Sequence, residues 1–376
     1  MMRKNVLLFG HGYGTQFIDI SNQYTKLFDK NKHAVTVVYL VGEPDEAIRK
    51  RHLADQVIFL NSPKKSVRGL KIDAIKRMLA LTREKNFEIV VCHRYKPTYV
   101  MLLVSRFHPI PALISVMHEL GTLSSFARKI LIAALAKDNI LFAGVSNAVR
   151  DDLRQAIWRI PSERVITLYN MLDVDLTEPK LLSRKEARQQ LDLPDDTFVF
   201  GTIGRLAKNK DQKTLIQAFA AIKNQCPKAK LIILGDGILE HELKQLTHSL
   251  HLQDDVIFTG YRNDAFSFAK AFDVFISSSI QEAFGRVLLE AMIAKTPIIA
   301  TKVNGIPEVI GDSGILIDCN KPSELAAEML KAYQMETSTL SKWGEQGYQR
   351  VNNQFSLKQF NEIFWQIPLI QKKEST

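Results

Sequence analysis

The sequence predicts an α/β chain built from two doubly wound, parallel sheets. Three observations carry this. Short apolar, β-rich runs alternate with helical patterns along most of the 376 residues, the order expected of repeated βαβ units. The length exceeds one ordinary domain and suits two. The alternation lapses once, over Asn170–Glu178, and then restarts.

In the first half, strands are expected at Val6–Phe9, Val35–Leu40, Val57–Leu60, Ile89–Cys92, Ala112–Met117, Leu141–Val145 and Val165–Leu168. Helical patterns separate most of them, for example Ser66–Lys85 and Leu123–Lys137. This order implies a parallel sheet covered on both faces. Asn170–Glu178 has no clear period, Pro179 follows, and a helix over Ser183–Leu191 leads into a turn at Pro194–Asp196. The linker is placed here, giving domains over residues 1–176 and 177–354. The second set of strands is expected at Phe198–Ile203, Leu231–Leu234, Val256–Thr259, Val274–Ser277 and Pro297–Ala300. Ligands of such sheets bind at the carboxyl ends of the strands, so two such edges facing across a cleft are expected.

Hydrophobic residues make up 46% and charged residues 24%, enough for real cores in a soluble chain. Cys92, Cys226 and Cys319 are odd in number and widely spaced. They read as free thiols of a reducing, cytoplasmic compartment. The N-terminal apolar run is short and meets glycines, so it reads as a buried strand rather than a secretory signal. Tyr99–Met117 is interrupted by Arg106, His108, Pro109 and Pro111, which a membrane span would not tolerate.

The net charge is +10, and its placement is uneven. Residues 1–176 hold 26 Lys+Arg against 16 Asp+Glu, whereas the remainder holds 24 of each. An anionic partner is therefore expected for the first half. One candidate is an anionic membrane surface, met by the Ser66–Lys85 pattern. There Val67, Leu70, Ala74 and Met78 form an apolar stripe, with Arg68, Lys71, Lys76, Arg77 and Arg83 around it. An ordinary sheet-covering helix with a solvated basic face explains the same pattern. No nucleic-acid motif is present, and the basic residues lack interleaved aromatics.

The stretch running from Glu282 to Glu290, with Phe284, Gly285, Arg286 and Val287 between, follows the expected strand Val274–Ser277. A helix starting at Gly285 would point free backbone N–H groups at a phosphate. The two acids lie too far apart for a close carboxylate pair and suit hydroxyl recognition. The alternative is an acid complementing the helix dipole plus a solvated one. Gly204-Arg205-Leu206 and Lys210 follow the first strand of the second half, where Arg205 offers a planar fork and Lys210 a point charge to a diphosphate. Gly10-His11-Gly12-Tyr13-Gly14 follows the first strand of the chain. It is glycine-rich without the full dinucleotide-binding spacing, and a plain strand-to-helix turn explains it equally. His93 and His118 end neighbouring expected strands. No His/Asp/Glu/Cys cluster has metal-ligand spacing, so neither a metal nor another cofactor is expected.

Taken together, these stretches resemble glycosyltransferase family 4, most strongly over Phe198–Asp318. The shared features are Gly204-Arg205-Leu206 with Lys210, Glu282 with Glu290, and Gly305-Ile-Pro-Glu-Val-Ile310. The resemblance implies the GT-B architecture of two Rossmann-like domains and a retaining, metal-independent transfer from a nucleotide-diphosphate sugar, a UDP-sugar being favoured. It implies that Arg205 and Lys210 hold the donor diphosphate, Glu290 the ribose and Glu282 the sugar. The backbone of Phe284, Gly285, Arg286 and Val287 would contact sugar and phosphate. His118 would contact the sugar, Gly12 and Gly14 would face the diphosphate, and a helix near Phe355–Ile370 would cross back to the first domain. Asp211 and Lys295 depart from the family pattern, which often has glycine there, as does Arg286, where an aliphatic residue is common. His11–Ser21 and His93–Pro97 also look like transferases of lipopolysaccharide core assembly, which implies an anionic envelope glycolipid or saccharide as acceptor. Two other readings stay open: a different GT-B enzyme such as a nucleotide-sugar epimerase, and a non-catalytic binder of anionic ligands.

Overall fold

The computed structural model describes residues 3–63, 66 and 69–374. The chain divides into two compact units, one comprising Met1–Tyr169 and Phe360–Thr376, the other Asn170–Gln359.

Among the described residues, the first unit holds seven strands: β1 (Lys4–Gly10), β2 (His33–Tyr39), β3 (Gln56–Phe59), β4 (Ile89–His93), β5 (Ala112–Met117), β6 (Ile140–Gly144) and β7 (Val165–Thr167). They pair in parallel in the order β3-β2-β1-β4-β5-β6-β7. Every residue of β4, β5 and β6 is buried, as a sheet covered on both faces requires. The order reverses between β1 and β4, so the segments leaving these strands diverge and open a crevice at their carboxyl ends. The segment after residue 359 packs into this unit through aromatic edges. Phe364 meets Tyr24 and Phe28, and Trp365 Nε1 donates to the Leu27 carbonyl at 3.1 Å.

The Ser66–Lys85 pattern resolves differently from the expectation. The helix spans Ile72–Lys85, with Lys71 at its N-cap in a left-handed conformation, φ 56°. Ala74 and Met78 are buried, whereas Leu70 lies outside the helix and exposed. Lys71 is also buried. Its ammonium sits 4.5 Å over the Tyr99 ring and donates to the Gly69 carbonyl. Arg77 donates to the Leu60 carbonyl and pairs with Asp73. Two of the charges read as a docking face are therefore spent internally. Val67 and Arg68 lie outside the described residues.

The second unit holds β8 (Phe198–Ile203), β9 (Ala229–Leu234), β10 (Val256–Gly260), β11 (Val274–Ser277), β12 (Ile298–Thr301) and β13 (Ile315–Ile317). They are parallel in the order β10-β9-β8-β11-β12-β13, reversing between β8 and β11. Its core gathers Phe200, Phe219, Leu231, Val274, Leu325 and Met329. Strand β13 was not expected from the sequence. It has three residues, two of them half-buried, so it carries little apolar signal.

Asn170–Glu178, expected as the linker, belongs to the second unit. Leu172 N–H donates to the Phe355 carbonyl, Leu357 N–H donates to the Leu172 carbonyl, and Tyr348 donates to Glu178 at 2.9 Å. The following helix, Arg184–Gln189, is fixed by Arg188, which is 2% exposed and pairs with Asp273 at 2.8 Å. Both charges find further partners. Arg188 donates to the carbonyls of Ala271 and Asp195, and Asp273 accepts from the Val199 N–H. A buried pair is tolerable only when its remaining hydrogen-bonding capacity is met in this way.

Candidate active site

At the reversal in the second sheet, the loop leaving β8 carries Gly204, Arg205 and Lys210, and the loop leaving β11 carries Ser278 to Gly285. The two loops are sewn together. Ile280 N–H donates to the Asn209 carbonyl, and Ser278 Oγ donates to the Lys210 carbonyl at 3.0 Å. Lys210 and Glu282, distant in sequence, form an ion pair with both side chains about four-fifths buried. Gly204 borders the same place, and Gln212 holds the loop by donating to the Arg205 carbonyl. The Arg205 side chain projects into solvent. Gly235 permits this loop to sit where it does. Its φ is +139°, and a Cβ there would lie 2.0 Å from the Gly204 carbonyl oxygen.

Gly285 caps the helix Arg286–Ile293 with φ +91°, a conformation that L side chains rarely adopt. The first turn contains no acid of its own, and its N–H groups face the loop, where the Glu282 side chain packs beside Gly285. Phe284 turns its ring away from this edge, buried against Phe355 at 5.7 Å. Only its backbone is available to a ligand. Val287 lines the niche beside Gly204 and Lys210. Glu290 sits half-buried further along the helix and does not line the niche. That niche measures about 10 Å³, room for about one water. A ligand larger than that would therefore lie along the sheet edge rather than inside an enclosed hole.

The departures at Asp211 and Lys295 gain a physical explanation. Both residues adopt left-handed backbone, φ 46° and φ 58°, which glycine enters without steric cost. Asp211 in addition caps the helix Gln212–Ile222 by accepting from Thr214 N–H.

The reversal in the first sheet is an open pocket of about 330 Å³. His11 comes to it from the loop after β1, Arg94, Tyr95 and Lys96 from the end of β4, and His118 and Glu119 from the end of β5. Arg128 completes it from the helix Phe126–Leu135. His118 Nε2 lies 3.0 Å from His93 Nδ1, so one ring donates and the other accepts. His93 is fully buried, wedged between Phe17 and Tyr24. Burial first, and then His118 and Arg94, hold its pKa well below the usual value. A neutral His93 thus couples its own tautomer to the protonation of His118 Nε2. His11 is held down to about 4, by burial first and then by Lys96 and Arg94. Gly14 is the N-cap of the helix Thr15–Thr25 with open space around it, and Gly12 lies against Val41.

The structure thus brings Gly204, Lys210, Glu282 and Val287 together, places Arg205 and the 284–286 backbone on the same loops, and sets His118 in the other unit's pocket. Sequence reasoning missed Arg94, Lys96 and Arg128. The first two stand within His93–Pro97, which was noted as a stretch without assigning roles to its charges. Arg128 reads as one more surface charge on an amphipathic helix.

Residues 22–176 match the family described as Glycosyltransferase Family 4, and residues 183–350 match Glycosyl transferases group 1. N-acetyl-alpha-D-glucosaminyl L-malate synthase of Bacillus anthracis is 28% identical over 55% of this chain and 55% of its own length. The N-acetylgalactosamine-N,N'-diacetylbacillosaminyl-diphospho-undecaprenol 4-alpha-N-acetylgalactosaminyltransferase of Campylobacter jejuni is 27% identical over 66% of this chain and 70% of its own. The lipopolysaccharide core biosynthesis glycosyltransferase LpsE of Rhizobium meliloti is 30% identical over 48% and 52%. The chain therefore spans about half the length of the first and third of these relatives. The structure of Anabaena Alr3699/HepE in complex with UDP superposes with a TM-score of 0.78 at 23% identity, covering 99% of this chain and 100% of that one. With one matched stretch in each half, the chain carries a Glycosyltransferase Family 4 domain followed by a Glycosyl transferases group 1 domain, and it has the GT-B fold.

Proposed function

We propose that this enzyme is a retaining, metal-independent transferase. It moves a hexose or related sugar from a nucleoside-diphosphate donor, UDP-sugar favoured, to an envelope glycolipid or saccharide, in lipopolysaccharide core assembly. The observation that carries the reading is the Lys210–Glu282 pair beside Gly204 and the amino end of the helix Arg286–Ile293. Here each charge satisfies the other. A donor would take both apart and satisfy each again, its diphosphate drawing Lys210 and its sugar hydroxyls drawing Glu282. Arg205 and the 284–287 backbone would then stand around the departing diphosphate, where negative charge grows. Glu290 would hold the ribose.

Retention is supported by the α linkage in the names of two relatives, one from Bacillus anthracis and one from Campylobacter jejuni. An α product from an α-configured nucleotide sugar keeps its configuration. UDP is supported by the Anabaena complex, and the core role by LpsE. The acceptor is assigned to the first unit, with His118 at its pocket and Gly12 and Gly14 on the loop beside His11. We assign the enzyme to the cytoplasmic face of the membrane as a peripheral protein. Among the described residues no helix is long and apolar enough to cross a membrane. Exposed Leu70, Ile72, Phe126 and Ile130, rather than Lys71 and Arg77, supply the side chains for shallow insertion.

Hydrolysis of UDP-sugars in EDTA, followed by proton NMR, tests the reading. The sugar first released should carry the donor's anomeric configuration. The opposite anomer would overturn retention, and turnover only with added Mg²⁺ or Mn²⁺ would overturn metal independence. Absence of both binding and turnover with every nucleotide sugar tried would sink the transferase reading itself.

A further inference from the structure

The pocket of the first unit carries a charge that the donor site does not use. Arg94, Lys96 and Arg128 line it against one acid, Glu119. That leaves a formal excess of two positive charges on the lining. Arg94 meets Glu119 at 3.5 Å with both side chains mostly exposed, a pairing of little strength in water. Arg128 is stacked 4.7 Å over Tyr95 and donates to the Thr122 carbonyl, so its guanidinium is held in place. Like charges gathered around a void of this size repel one another unless an anion enters it.

The backbone adds to the field. The helix Tyr95–Phe107 begins at the pocket, no side chain caps it and its first turn holds no acid, so its positive end faces the same space. Arg94, which starts it, has φ 74°, an unusual conformation for a residue with a Cβ. It is pinned by its own N–H, which donates to the Val116 carbonyl, and by its carbonyl, which accepts from the Thr98 hydroxyl. Such strain persists where the surroundings over-determine a geometry, and it concentrates at ligand clamps. His11 stands on the wall as a neutral ring that can hydrogen-bond a ligand without adding charge.

We propose that this pocket is a phosphate subsite: Arg94, Lys96 and Arg128 hold a phosphate ester carried by the acceptor, beside His118. A phosphate monoester carries about −1.5 to −2 at neutral pH and matches the excess of two, whereas a carboxylate would leave half of it unmet. Arginine forks suit its oxygens in pairs. A volume of about 330 Å³ also admits the sugar that bears it. The inference rests on the transferase reading for the word acceptor, but its test does not.

The experiment is calorimetry on the full chain saturated with UDP, titrated with glucose 6-phosphate and with glucose. The phosphate ester should bind and the neutral sugar should not. Lys96→Gln and Arg128→Gln should each weaken the ester by about tenfold or more, with unfolding midpoints unchanged. Equal binding of ester and neutral sugar, or wild-type affinity in both variants, would overturn the subsite. Vesicles of phosphatidylglycerol form the other arm. Sedimentation of the wild type but of neither variant, with glucose 6-phosphate unbound, would reassign the charges to a lipid headgroup and also overturn it. UDP binding by the wild type is read in the same instrument. Its absence would count against the donor reading while leaving the ester titration decisive.

Discussion

Each sheet reverses its strand order once, between β1 and β4 in the first unit and between β8 and β11 in the second, and the two openings are furnished differently. The second is closed on itself. Its central cation already has a carboxylate, and the enclosed space admits about one water. The first is open, lined by three cations and one acid, with half-buried His11 on its wall and buried His93 behind His118, both neutral. One topology thus yields a site whose central cation is held in an internal ion pair and another whose lining carries more basic than acidic side chains. The difference lies in the residues on the loops, since the backbone rule that creates both crevices is the same.

The largest effect should come from the closed site. Lys210→Ala and Arg205→Ala should each lower turnover by about 10²–10³-fold with little change in unfolding midpoint. Near-wild-type rates in steady-state assays of both variants would remove the diphosphate role.

Acid should separate the units next. His11, His52 and His93, all in the first unit, are held below their ordinary pKa. Unfolded, each takes up a proton near pH 6.5, whereas His11 and His52 resist protonation in the fold until about pH 4. Stability that is complete above pH 6.5 is therefore withdrawn as the pH falls toward 4. Each kcal/mol lost should lower the midpoint by about 2–4 °C. Hydrogen exchange between pH 6.5 and 4 should show β1, β2 and β4 losing protection ahead of β8 and β11. Loss in the opposite order would break the comparison.

A smaller, sharper test divides the two glutamates. Glu282→Gln frees Lys210, so UDP alone should bind as well as before or better, while the UDP-sugar should weaken by about tenfold. Glu290→Gln should weaken both ligands. Calorimetry showing equal loss of UDP in the two variants would cancel their separate assignments.

The smallest effect concerns the backbone at Asp211. If its left-handed conformation is what counts, Asp211→Gly should be more stable than Asp211→Ala by about 1 kcal/mol, since both lose the cap on Thr214. Equal chemical-denaturation midpoints would show that the φ of 46° is held at no cost.

Much of this architecture was legible in the sequence because buried parallel strands announce themselves as apolar runs. Ala112–Met117, Phe198–Ile203 and Val274–Ser277 have the limits the pattern implied. β13 escaped because three residues, two of them half-buried, make almost no pattern. The Asn170–Glu178 segment misled because its lack of periodicity reflects pairing with the distant Phe355–Leu357 rather than looseness. At the second unit's site the loops and their residue types could be read, but the Lys210–Glu282 pairing could not. Nothing local in either loop says that the other will come to meet it. The first pocket was harder still, since Arg94, Lys96 and Arg128 become a cluster only when β4 and the helix Phe126–Leu135 reach one rim.

The return of residues 360–374 to the first unit sets an order of events on the ribosome. The second unit is continuous in sequence, Asn170–Gln359, whereas the first needs Phe360, Phe364 and Trp365 to cover Tyr24 and Phe28 and to engage the Leu27 carbonyl. At about 5–20 residues per second, the nascent first unit spends on the order of ten seconds or more with that aromatic face uncovered while its neighbour is made. The part translated first is thus the part completed last. Through that interval its exposed rings are a natural binding surface for a chaperone.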